Sequence, residues 1–111
     1  MTIDNLLDRT WSKNYTCNEF VCEAWLQITG ENLTQRLDDF LSGTGNFKQL
    51  DVPDPPCLVL LSNNNRSSTH VGLFYCDKVL HLTESGVQYV SMRSLKNYYL
   101  RFRYYEHVNH L

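Results

Sequence analysis

At 111 residues the chain is long enough for one hydrophobic core and too short for two, so residues 1–111 are read as a single domain. Hydrophobic residues make up 42% and charged residues 20%, which excludes a disordered chain, and a formal charge of -2 excludes the global basic excess that draws a protein onto nucleic acid or an anionic membrane. No apolar run approaches the roughly 20 residues of a membrane helix, and Met1 to Arg9 has neither a basic nor an apolar leader segment, so the expectation is a chain made in the cytoplasm without a signal peptide or membrane insertion.

The first periodic segment starts at Cys17. Phe20, Val21, Ala24, Trp25 and Ile28 recur at helical spacing, the polar stretch Ser12 to Thr16 leads in, and Gly30 stands where a glycine ends a helix. A second helix is predicted over Leu33 to Leu41, with Gly43 as its stop. After the extended Asp51 to Pro56 come strands at Cys57–Leu61, His70–Tyr75, Lys78–Thr83, Val87–Ser91 and Tyr99–Tyr105, with a helical turn in Met92–Tyr98. Ser62 to Ser68 is a polar loop. Helices followed by consecutive strands predict an α+β domain, with the first helix packed on an antiparallel sheet.

Without a secretory signal, Cys17, Cys22, Cys57 and Cys76 are expected to be free thiols. There is no Cys-x-x-Cys pair, and Cys17 and Cys22 fall on different faces of a helix, so no metal site is expected. Cys17 stands apart because it begins a helix, where unpaired N–H groups and the dipole favour a thiolate and can also hold an oxyanion. It is therefore expected to be the most reactive of the four.

Thr69-His70-Val71-Gly72-Leu73-Phe74-Tyr75 is followed by Cys76-Asp77 as a two-residue turn and by Lys78-Val79-Leu80-His81-Leu82. That register sets Leu73 opposite Leu80. His70 and His81 then share one face as diagonal neighbours, and Val71, Leu73, Leu80 and Leu82 share the other. A base needs a partner to fix its tautomer, so the sheet offers a Cys-His-His triad, with Glu84 next in line as the orienting residue. On residue type alone the blander alternatives stay open: a small buried cysteine and two partly exposed strand histidines.

Other features read as structural. Leu100, Phe102 and Tyr104 alternate with Arg101 and Arg103 as in a strand with one wet face, not as a nucleic-acid surface. Glu19 and Glu23 read as a solvated helix face, and His107 and His110 as a mobile tail.

The segments Tyr15-Thr-Cys17-Asn-Glu-Phe20-Val21-Cys-Glu23-Ala-Trp25, Pro55-Pro-Cys-Leu-Val-Leu-Leu61, His70-Val71-Gly72-Leu73 and Val79-Leu80-His81 with Gly86-Val87 resemble, in this order, the NlpC-type cysteine peptidases. These are papain-like enzymes that cut peptide stems of bacterial cell wall. The resemblance covers most of the chain, and the His-Val-Gly strand with a second His after it is its most specific part. Thr16-Cys17-Asn18-Glu19 replaces the family's usual Asp-Cys-Ser-Gly, and no Tyr-rich Gly-Gly segment precedes it.

The resemblance implies a papain-like NlpC-type fold, with N-terminal helices packed on a roughly five-stranded antiparallel sheet. It makes Cys17 the nucleophile, His70 the base and His81 the orienting residue, with no metal or organic cofactor. The substrate it implies is a peptidoglycan stem peptide, cut between D-glutamate and a diamino acid. The short form is similar to versions from phages and prophages, which implies phage tail proteins as partners and action at the cell wall by way of a virion or a secretion machinery. Two further readings are a catalytically silent structural or binding module of a phage tail and a bacterial amidase effector. An exposed, ionised Cys17 discriminates an enzyme from a silent module.

Overall fold

The computed structural model of the chain describes residues 3–34, 47–52, 54, 56–62 and 70–107. Most of the expected second helix, all but Ser62 of the polar loop, and His110 lie outside the described residues; Leu33, at the start of that helix, is buried.

A 3-10 turn at Asp4–Leu6 precedes α1, Cys17–Thr29. Thr16 caps the helix: its hydroxyl accepts the Asn18 N–H at 3.4 Å, and its own N–H donates to the Glu19 carboxylate at 2.7 Å, the reciprocity of a Thr-x-x-Glu capping box. Gly30 ends the helix in the left-handed region, at φ 81, where a side chain is strained. The buried residues Phe20, Val21, Ala24 and Trp25 form the stripe that the periodicity predicts.

The strands are β1 (Phe47–Leu50), β2 (Cys57–Ser62), β3 (His70–Tyr75), β4 (Lys78–Thr83), β5 (Gly86–Val90) and β6 (Arg101–His107), with a short helix α2 (Met92–Leu95) before the last. They form one antiparallel sheet in the order β1-β6-β2-β3-β4-β5. The fold is therefore α+β, as expected, but the sheet has six strands where about five were expected. The added one is β1, which pairs from Phe47 opposite His107 to Leu50 opposite Tyr104. His107 accordingly closes a strand and does not belong to a free tail. The last strand starts two residues later than expected, which leaves Tyr99 outside the ladder.

Alternation along the strands divides the core in two. Leu58, Leu60, Val71, Leu73, Leu80 and Leu82 meet Phe20, Val21, Ala24 and Trp25 of α1. Cys57, Val59, Leu61, Phe74 and Val79 form the opposite layer with Leu95 of α2. β2 is buried along its whole length, as befits a strand with neighbours on both sides and packing on both faces. Among the described residues no helix is long and apolar enough to cross a membrane.

Candidate active site

The hairpin that carries the histidines is set by its turn. Cys76 and Asp77 both have positive φ, 50 and 69, as a type I′ connection requires, and this fixes Tyr75 opposite Lys78, Phe74 opposite Val79 and Leu73 opposite Leu80. His70 and His81 fall on one face, as the register predicts, with His70 Nε2 2.8 Å from His81 Nδ1 and the rings in an edge contact. Gly72 makes room for this. A Cβ there would stand 2.9 Å from Val79 Cγ1 and 3.2 Å from His81 Cβ, so any side chain would push β4 and its histidine away.

Burial decides the charge of the pair. It lowers His70 to about 4 and His81 to about 4, the latter helped by the neighbouring His70 and opposed by the Gln88 side chain. Both rings are therefore neutral at neutral pH, the form in which an imidazole accepts a proton.

Cys17 begins α1, as expected, but α1 covers the sheet face opposite the histidines. The thiol reaches the start of β3. It lies beside the amide of Val71, the residue after His70, and it shares a neighbour with His70 in Tyr99. Its hydrogen bond goes to Asn18 Oδ1 at 3.8 Å, and among the described residues there is none to His70. The expected lowering of its pKa is overturned. Burial raises the thiol above its ordinary value, with a further upward push from the Glu19 charge, and the amides of Val71, Cys17 and Asn18 oppose this without reversing it. The thiol is half-buried and protonated, at the amide of Val71, which follows the neutral His70 in the chain.

Tyr99 is the site residue that the sequence does not reveal. Its ring stacks on His70 with centroids 6.0 Å apart and planes 5° from parallel, and burial, together with a thiolate at Cys17 once that forms at high pH, pushes its hydroxyl up. Tyr99 lies two residues before β6, outside the ladder. Glu84 is exposed in the β4–β5 turn and does not line the cavity beside His81, whereas Gln88 does and stands directly across from His81. A cavity of about 280 Å³ beside the pair is lined by His81, Gln88 and Tyr99 together with Thr83, Ser85 and Tyr98.

The two glutamates of α1 are not a free solvated face. Glu19 caps the helix that carries Cys17. Glu23 accepts from Arg9 Nη2 at 2.6 Å, from Arg9 Nε at 3.0 Å and from the Tyr15 hydroxyl, which ties the segment before Cys17 to the helix that Cys17 begins. Comparison with known proteins returns no match, whether to a protein-family model, to a curated protein or to a solved structure.

Proposed function

We propose that the chain is a cysteine hydrolase of the papain-like NlpC type, which cleaves an amide bond in peptidoglycan stem peptides, between D-glutamate and a diamino acid, in association with a phage tail or prophage. The observation that carries the reading is the His70–His81 contact of 2.8 Å at the strand end where Cys17 meets the Val71 amide. A thiol at a helix start, a neutral imidazole and a second imidazole behind it are the parts that nucleophilic amide cleavage requires.

Because the thiol is protonated and His70 neutral, the proton moves during attack and not before it. The Cys17 side chain rotates from Asn18 toward His70. His70 takes the proton at Nδ1 as sulfur bonds to the carbonyl carbon, and the amides at the start of α1 face the oxyanion. His70 then protonates the leaving amine, giving a thioester, and water with His70 as base releases the acid and restores the thiol.

Incubation with purified muropeptides, with product masses read for wild type and for Cys17→Ala, tests the proposal. A loss of mass that requires Cys17 supports it. A burial-raised thiol without a hydrogen bond to its base favours the second reading, a silent structural or binding module, which predicts muropeptides unchanged by wild-type protein.

A further inference from the structure

The tautomers of the two histidines depend on one another. His70 meets His81 through Nε2, which leaves Nδ1 as the nitrogen that can take a proton from Cys17. A neutral imidazole with a free Nδ1 carries its hydrogen on Nε2, so His70 donates to His81 Nδ1. His81 then carries its own hydrogen on Nε2. In the opposite arrangement His81 donates from Nδ1 to His70 Nε2 across the same 2.8 Å, and His70 turns an N–H toward the thiol. That arrangement has no base. Whatever accepts a hydrogen bond from His81 Nε2 therefore selects the competent state.

His81 is only 1% exposed, and its Nε2 has no hydrogen-bond partner among the described residues. An orphaned buried donor is unfavourable, so a side chain able to accept from it has a large effect. Gln88 lies directly opposite His81 in the β4–β5 register, which puts both side chains on the same face, and both border the same cavity. Thr83 is already engaged, donating to the Gly86 carbonyl at 2.8 Å and accepting from the Ser85 N–H. The other titratable side chains around the ring are His70 on β3 and Tyr98 and Tyr99 beyond α2. The Gln88 amide acts on His81 as an acceptor does, favouring the protonated ring.

We infer that Gln88 is a positioning residue whose side chain turns so that Oε1 accepts the Nε2–H of His81, and so holds His70 in the tautomer that can take the Cys17 proton. The order of the relay is Cys17, His70, His81, Gln88. No proton passes beyond His70; the two outer residues fix a tautomer and support the charge that forms on His70 during attack.

The inference rests on the hydrolase reading, but its test does not need turnover. Nitrogen-15 shifts of the imidazole rings separate the Nδ1–H from the Nε2–H form in the folded protein. Wild type should show both rings as Nε2–H at neutral pH. Gln88→Leu, on an exposed edge-strand position, should stay folded, with a melting temperature lowered by a few degrees, and shift the His81 tautomer ratio about tenfold toward Nδ1–H, the equivalent of one neutral hydrogen bond. Gln88→Glu keeps an acceptor oxygen, so it should hold the Nε2–H form and raise the pH at which the pair protonates. A wild-type His81 carrying Nδ1–H, or spectra unchanged in Gln88→Leu, would overturn the inference. If Gln88→Leu folds poorly, an unchanged protonation pH in Gln88→Glu overturns it alone. Shifts as expected, with muropeptides left uncut by wild type, would sink the hydrolase reading and keep the tautomer control.

Discussion

Position and access, the two properties that make a thiol reactive, are divided in this chain between Cys17 and Cys76. Cys17 has the helix start and the Val71 amide next to His70 but is half-buried, with a pKa raised by burial, whereas Cys76 is exposed in the β3–β4 turn. At pH 7 limiting iodoacetamide should therefore label Cys76 first, the reverse of the order that helix position alone predicts. Labelling of Cys17 should climb as pH rises toward and past 9; a plateau of fast Cys17 labelling in acid would reveal a preformed thiolate–imidazolium pair and overturn the proton-transfer order given above. Gly72 makes the other residue-scale prediction. Gly72→Ala sets a methyl 2.9 Å from Val79 Cγ1 and 3.3 Å from the Leu80 carbonyl, so β4 must shift, at a cost of about 1–3 kcal/mol. Thermal melts should show that loss, and muropeptide cleavage should fall further than the loss of folded protein explains, because His81 moves with β4. A variant as stable and as active as wild type would show that the approach is not needed.

At the scale of elements, α1 is both core and bearer of Cys17, the nucleophile of the proposed hydrolase, and two substitutions separate those roles. Trp25 is 3% exposed in the layer between α1 and the sheet, so Trp25→Ala should cost roughly 3–5 kcal/mol and lower the melting temperature before it touches chemistry. An unchanged melting temperature with weaker substrate binding would instead make Trp25 a substrate platform. Thr16→Ala removes the cap and should cost about 1 kcal/mol, with its sharper effect on the Cys17 labelling rate, since the amides beside the thiol lose their order. Much of this architecture is legible in the sequence. The α1 stripe, the Gly30 stop, the exact span of β3 and β4 and their register all follow from local periodicity and one two-residue turn. β1 is not legible, because Phe47-Lys-Gln-Leu50 is short and lacks alternation, and only its pairing with β6 makes it a strand. The contacts of Tyr99 with His70 and of Glu23 with Arg9 join residues distant in sequence, so no local pattern announces them. The raised thiol was hidden for the same reason: helix position is local, but burial belongs to the whole fold.

For the whole molecule, the cost of keeping two imidazoles buried and neutral becomes a dependence of stability on pH. Both histidines have folded values near 4 against an ordinary 6.5, so between those limits the unfolded chain binds more protons than the native one. Stability is then complete above about pH 6.5 and declines as the pH falls toward 4, by up to about 1.4 kcal/mol per pH unit for each histidine. Total stabilities of domains are typically about 5–15 kcal/mol, so a loss of this size is readily measured. The carboxylates act in a different window. Arg9 and Tyr15 hold Glu23 below its usual range and Thr16 does the same for Glu19, so their contributions are present above about 4.5 and fade only in stronger acid. Melting temperatures taken from pH 7 down to 4.5 should fall steadily in wild type and with a clearly shallower slope in His81→Leu, which fills the space without titrating. The same neutrality keeps His70 able to accept a proton throughout that range, so under the proposed hydrolase reading the acid limit of cleavage and the acid loss of stability should arrive together, near the pH at which the pair protonates. A wild-type melting temperature flat from pH 7 to 4.5 would mean that the histidines are solvated in both states, and a neutral, buried base could then no longer be the starting point of the mechanism.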